Sequence, residues 1–191
     1  MLDYKIAKLS DQVYEIQNFI TKEELDQVTQ FLSLRDESDW NASDVQYDFW
    51  KDKVLDRKFI FPDSKFMDFY SRICNLFSGK FEVTGINVQR YKKDDSLGEH
   101  TDDHDGHRLN NQKVFYGAVL YYNDDYEGGE LKYPDLDIIH KPKKGSLVLH
   151  GGSILHGTTP VKNDITRYMS TVFVKHQVGE EVYLNKEIFG E

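Results

Sequence analysis

Cysteine is nearly absent from this chain: Cys74 is the single one among 191 residues. A lone thiol excludes an internal disulfide, and the scarcity fits a reducing compartment. Basic charge is also short, with 24 Lys and Arg against 33 Asp and Glu and a formal net charge of −9. Duplex-binding proteins carry a basic footprint, so nucleic acid is disfavoured as a partner. No apolar run approaches the roughly 20 residues of a membrane-spanning helix, so no membrane partner is expected. Met1 to Ile20 contains no signal-type hydrophobic core, and the expected location is cytoplasmic. Internal repeats, low-complexity stretches and long single-sign charge blocks are likewise missing.

What remains is a folding composition. Hydrophobic residues make up 39%, aromatics 14% and charged residues 30%, which suits one globular domain with a real core. Residues 1–80 read as helical support and loop, 81–176 as a β-rich core, and 177–191 as a C-terminal tail. Residues 1–20 alternate loosely and include a short strand. Thr21 with Glu24 forms a capping box ahead of the stripe Leu25, Val28, Phe31 and Leu32, with Ile20 and Leu25 placed as a hydrophobic staple. Trp40, Tyr47, Phe49 and Trp50 fall in an aperiodic stretch, 36–62, which reads as a long ordered loop, either a lid or a plug at the core edge. A second helix follows Pro62-Asp63, with Phe66, Phe69, Tyr70, Ile73, Cys74 and Phe77 as its core stripe and Gly79 as its stop.

From residue 81 the period changes to two. Strands are expected at 81–91, 114–123, 129–134, 136–141, 145–150, 155–160 and 166–175. Many short strands after two helices predict a mainly β fold with N-terminal helices (α+β), a double-stranded β-helix or jelly roll buttressed by the helices. Parity puts Ile86 and Val88 on one face and Asn87, Gln89 and Tyr91 on the other. It groups Phe115, Gly117, Val119 and Tyr121 together, and also Arg167, Met169, Thr171, Phe173 and Lys175.

Three residues stand out chemically. His100 and Asp102 are two apart, so an extended backbone sends both side chains to one face. A third ligand, His156, can arrive from a distant strand. Two imidazoles and one carboxylate on one face of an octahedral ion suit a non-haem Fe(II) oxygenase, because the opposite positions stay open. A bare His-x-Asp is commonplace in so acidic a chain, and its context carries the weight. His150 competes with His156 for the distal place, and His156 is preferred because Pro160-Val161 and Arg167-Tyr168 come after it. His104 and His107 sit in a loop-like Asp/Gly/Asn stretch and read as solvent or substrate-side residues; His140 and His176 read as strand-edge residues. Arg167 on an inward strand face needs a buried partner, and its planar fork matches a carboxylate.

These segments resemble the Fe(II)/2-oxoglutarate-dependent dioxygenases, and among them the prolyl 4-hydroxylase-like group. The resemblance rests on Arg90-Tyr91, His100-Thr101-Asp102, residues 118–134 (AVLYYNDDYEGGELKYP), 141–150 (KPKKGSLVLH), HGTTPV from His156 and the Thr-Arg-Tyr of 166–168, about half of the chain. It implies that His100, Asp102 and His156 hold Fe(II). Arg167, helped by the Tyr121 hydroxyl, would bind the distal carboxylate of 2-oxoglutarate, with Tyr91 near its metal-bound end and Glu127-Gly128-Gly129-Glu130 as a structural turn. O2 is the oxidant, ascorbate a candidate accessory reductant, and a prolyl residue in a peptide or protein the implied substrate. Two departures bear on this. The spacing from His156 to Arg167 is eleven, which requires an extended turn at 162–165. Phe173 and Lys175 stand where peptide-hydroxylating relatives tend to carry Trp-x-His. Alternatives are therefore a hydroxylase of a free amino acid or other small molecule, and a non-enzymatic jelly-roll metal- or ligand-binding module.

Overall fold

The N-terminal alternation resolves as a hairpin in the computed structural model, which describes residues 4–40, 53–54, 64–84, 87–103 and 111–190. Strands β1 (Lys5–Ser10) and β2 (Val13–Gln17) pair antiparallel. Helix α1 (Lys22–Ser33) starts where expected: Thr21 Oγ1 accepts from the Glu24 N–H, and a Glu24 carboxylate oxygen accepts from the Thr21 N–H. Both bonds satisfy amides that a helix start leaves without intrahelical partners. Val28 and Leu32 are its buried residues.

Helix α2 (Ser64–Cys74) ends before the expected Phe77. The chain goes straight into strand β3 (Phe77–Gly79), strand β4 (Glu82–Val83) and strand β5 (Asn87–Tyr91). Gly79 is therefore not a helix stop. It has φ +103°, and a Cβ there would lie 2.2 Å from the Glu181 carbonyl oxygen, so glycine lets two chain segments cross. Strand β6 (Gln112–Tyr121) is long; β7 (Leu131–Tyr133), β8 (Ile138–His140), β9 (Leu147–Gly151) and β10 (Gly157–Thr158) are short. Strand β11 (Arg167–Gln177) is followed by β12 (Val182–Leu184) and the one-turn helix α3 (Lys186–Phe189).

Residues 177–190 are thus no loose tail. Strand β12 pairs with β3, and Phe189 packs edge-on against Tyr14 at 5.2 Å. The Asn185 N–H and side chain take the carbonyls of Leu76 and Asn75, just past the end of α2. The single strand expected at 81–91 is instead two, β4 and β5, both paired to β11.

Seven strands form the main sheet, in the order β1-β2-β9-β6-β11-β4 with β5 also on β11; its pairings are antiparallel. A three-stranded sheet, β10-β7-β8, is separate. Two apolar clusters flank the main sheet. Tyr116, Ala118, Leu120, Val172 and Val174 join α1 and α2 residues such as Val28, Leu32, Phe69 and Ile73. On the other face Val119, Tyr121, Val148 and Met169 meet Leu131 and Tyr133 of the small sheet. The layers are therefore helices, main sheet and small sheet, a mixed fold with an antiparallel sheet at its centre.

Trp40 is buried on the helix side, its ring 4.6 Å from the Arg90 guanidinium and 5.7 Å from Tyr168. It plugs the core edge. Tyr47, Phe49 and Trp50 lie outside the described residues, as does Ile86. No helix among the described residues is long and apolar enough to cross a membrane.

Candidate metal centre

Backbone pairing brings the two expected histidine ligands together. The His100 N–H donates to the His156 carbonyl at 2.8 Å, and the His156 N–H returns the bond at 2.9 Å, an isolated antiparallel bridge. Side chains opposed in this way share a face, and the two rings stand 4.4 Å apart. Asp102, two residues beyond His100, points to the same place. Its Oδ1 lies 3.6 Å from His100 Nε2 and 3.8 Å from His156 Nε2. One ligand atom from each of the three residues falls within 4.8 Å of the others.

Both imidazoles are held in the form that a metal requires. Nδ1 of His100 lies 2.9 Å from the Gly98 carbonyl, and Nδ1 of His156 lies 2.9 Å from the Ile154 carbonyl. A carbonyl only accepts, so each Nδ1 carries the proton and each Nε2 keeps its lone pair. Burial drives His156 down to about 4, reinforced by the neighbouring His150, so this imidazole is neutral at pH 7. Burial also lowers His100, but the neighbouring Asp102 carboxylate and the Gly98 carbonyl outweigh it and the net shift is upward. For Asp102, burial favours the acid, yet the contacts from His100 and His150 hold the carboxyl well below the usual range. Its charge suits a cation.

Arg167 opens β11 and is fully buried. Three aromatic rings surround its guanidinium: Tyr91 at 5.1 Å, Tyr121 at 5.3 Å and Tyr126 at 5.9 Å. Nη2 donates to the Tyr121 hydroxyl at 3.2 Å, while Nε and Nη1 have no hydrogen-bond partner among the described residues. The Tyr91 hydroxyl is also buried without a hydrogen-bond partner among the described residues. Among the described residues no carboxylate pairs with Arg167. Desolvating a guanidinium so completely is costly, and Nη1 with the second N–H of Nη2 is the end-on two-point fork that a carboxylate fits. The donor set therefore fits a metal ion at one end and a small dicarboxylate reaching Arg167 at the other.

The site residues read from sequence divide cleanly. His100, Asp102 and His156 converge; Tyr91, Tyr121 and Arg167 form a second group in the same inner layer. The Gly128 and Gly129 turn adopts φ +67° and +63°, and a Cβ at Gly129 would sit 3.1 Å from the Tyr126 ring and 3.2 Å from Arg167 Cδ. The expected extended turn before Arg167 is present, with bends at 163–165. His104 and His107 lie outside the described residues. His140 faces Glu15 at 3.5 Å, and His176 contacts the Glu180 carbonyl.

Two participants escaped sequence reasoning. Tyr126 lines the guanidinium pocket, and its signal was its position just before the glycine pair. His150 reaches Asp102 Oδ2 at 3.0 Å, as a partner of the carboxylate rather than a rival of His156.

Comparison with known proteins agrees with this geometry. Residues 86–175 match the family model described as the 2OG-Fe(II) oxygenase superfamily. A PKHD-type hydroxylase of Synechococcus sp. (strain JA-2-3B'a(2-13)) is 33% identical over 98 residues, 49% of this chain and 43% of its own length. The chain thus spans less than half of that curated relative. Among solved structures, the viral collagen prolyl hydroxylase of Paramecium Bursaria Chlorella virus-1 in its 2OG complex superposes with a TM-score of 0.59 at 17% identity, over 87% of this chain and 97% of that one. A prolyl hydroxylase from Trichoplax adhaerens, in complex with a hypoxia inducible factor oxygen degradation domain peptide fragment, gives 0.58 at 16% identity, over 86% and 84%. At such identities these two structures speak for the fold.

Proposed function

We propose that this chain, whose residues 86–175 match the 2OG-Fe(II) oxygenase superfamily model, is an Fe(II)- and 2-oxoglutarate-dependent hydroxylase acting on a prolyl residue of a peptide or protein. The observation that carries the proposal is the convergence of His100, Asp102 and His156 ligand atoms within 4.8 Å. In this reading those three residues hold Fe(II), and Arg167 with the Tyr121 hydroxyl receives the distal carboxylate of 2-oxoglutarate. Tyr91 and Tyr126 wall the same pocket. The main and small sheets then act as the two faces of a double-stranded β-helix.

When bound, the metal and cosubstrate supply the chemistry: 2-oxoglutarate is oxidatively decarboxylated to succinate and CO2, and the second atom of O2 enters the substrate as hydroxyl. The protein's share is orientation and exclusion of water. His100 and His156 present fixed Nε2 lone pairs, Asp102 supplies the anionic ligand, and Arg167 sets the depth of the cosubstrate. Burial of Asp102, His156, Tyr121 and Arg167 keeps this space dry. The peptide substrate class draws support from the fold shared with the viral and Trichoplax prolyl hydroxylases. The single cysteine agrees with a cytoplasmic setting.

The test is incubation with Fe(II), 2-oxoglutarate, ascorbate and a panel of proline-rich peptides. Succinate should form in step with addition of one oxygen atom to a prolyl residue. Turnover of 2-oxoglutarate with every peptide unmodified would shift the substrate to a small molecule; no turnover under any condition would contradict the enzyme reading.

A further inference from the structure

A third histidine adjoins the metal centre, and neither the ligand set nor the cosubstrate pocket uses it. His150 lies on β9, is 2% exposed, and shares the inner face with Val148. An imidazole buried against such neighbours is costly unless hydrogen-bonded. Its Nε2 is 3.0 Å from Asp102 Oδ2, and its Nδ1 is 3.4 Å from the Tyr133 hydroxyl. The charged Asp102 carboxylate is an acceptor only, so His150 Nε2 carries the proton and donates. Nδ1 then presents a lone pair, toward which the Tyr133 O–H is turned. Tyr133 is fully buried and Asp102 is 3% exposed. The three groups form one directed chain: Tyr133 O–H to His150, His150 N–H to Asp102 Oδ2.

Space for that contact is reserved by a glycine. A Cβ at Gly117 would sit 2.3 Å from Asp102 Oδ2 and 2.5 Å from His150 Nε2, closer than any real Cβ contact. Strand β6 places this residue directly opposite His150. Oδ2 is thereby engaged from the strand side, while Oδ1 faces the Nε2 atoms of His100 and His156.

We propose that His150 is a positioning residue that holds Asp102 by Oδ2, so that the carboxylate offers the metal one oxygen and cannot swing to chelate through both. The inference rests on the iron-site reading above. Its consequence is a metal face with an open position that a bidentate carboxylate would close. Partners of metal ligands typically change affinity by about 10–100-fold when removed.

The experiment compares wild type, His150→Phe, His150→Gln and Tyr133→Phe in anaerobic Fe(II) titrations, with thermal melts of the metal-free proteins. Phe keeps a ring but has no N–H. In Gln the Nε2 donor sits the same number of bonds from Cα as the imidazole Nε2. We expect His150→Phe to bind Fe(II) about 10–100-fold more weakly and His150→Gln to stay within about threefold of wild type. Tyr133→Phe should lie between them, because its bond is longer. Pulsed EPR of the Cu(II)-loaded wild type should count two coordinated imidazoles. Unchanged affinity in His150→Phe, or equal loss in Phe and Gln, overturns the inference, as does a count of three imidazoles. A wild-type protein without Fe(II) affinity would instead sink the iron reading, and this inference with it.

Discussion

Replacing Arg167 by Met separates two quantities that usually move together, the stability of the protein and its grip on the cosubstrate. In the protein alone, the substitution removes three cation–aromatic contacts worth about 0.5–1 kcal/mol each and one hydrogen bond worth about 1 kcal/mol. Against that loss of roughly 2.5–4 kcal/mol stands the relief of a buried charge whose desolvation costs several kcal/mol. The two nearly cancel, so Arg167→Met should melt close to wild type. Cosubstrate binding behaves otherwise. Removing one partner of a buried charge pair costs about 2–5 kcal/mol, or roughly 30- to several-thousand-fold in affinity. With Mn(II) in place of iron to prevent turnover, 2-oxoglutarate at about a hundred times its dissociation constant adds about 2.7 kcal/mol of stability. For a chain of this size that raises the melting temperature by about 5–11 °C. The rise should appear in wild type and fall below about 4 °C in Arg167→Met. A variant that loses more than about 4 kcal/mol of stability yet keeps the 2-oxoglutarate shift would refute this account of the buried guanidinium.

Other perturbations probe the same structure. Gly117→Ala drives a methyl into the Asp102–His150 contact; it should cost about 1–3 kcal/mol by overpacking and weaken Fe(II) binding about tenfold or more, measured by melts and anaerobic titration. Glu15 is pushed up by burial, but His140, the Lys143 N–H and Gln17 more than offset this and bring it from 4.5 to about 2. A carboxyl depressed in the folded state stabilises above its ordinary value and loses that contribution as pH falls from 4.5 toward 2. Unfolding free energies of wild type and Glu15→Gln from urea titrations should therefore differ by about 1–2 kcal/mol near neutrality, after discounting for solvent screening, and converge in acid. Thr21→Ala breaks the capping box of α1 and should cost about 1 kcal/mol in the same assay.

The parts of this design visible in sequence are those governed by short-range periodicity. Alternation along β6 grouped Phe115, Gly117, Val119 and Tyr121. Val119 and Tyr121 do face the small sheet while Tyr116, Ala118 and Leu120 face the helices, but Phe115 breaks the grouping, packing with Phe77 and Tyr116 against the helix-side cluster. The capping box was readable because both partners lie within one turn. Less readable were features decided by distant chain. Phe77 continues the helical stripe of α2, yet strand pairing with β12 claims it, so tertiary contact overrode local preference. Gly79 resembled a helix stop because the approach of Glu181 has no local signature.

The site divides along the same line. His100 and Asp102 announce themselves by their spacing. His156 could be chosen over His150 only by the residues C-terminal to it, Pro160-Val161 and Arg167-Tyr168, and nothing local shows that His150 ends up on Asp102. Tyr126 was overlooked because its role depends on the fold of the two-glycine turn, which turns its ring toward Arg167.

The central claim is that His100, Asp102 and His156 bind one Fe(II) with 2-oxoglutarate held beside it. Anaerobic addition of Fe(II) and then 2-oxoglutarate tests it most directly, because chelation of the metal by a keto acid produces a visible charge-transfer band. That band should appear in wild type and be lost in His156→Ala and Asp102→Ala. A wild type that stays colourless, or a band undiminished in either variant, would contradict the claim.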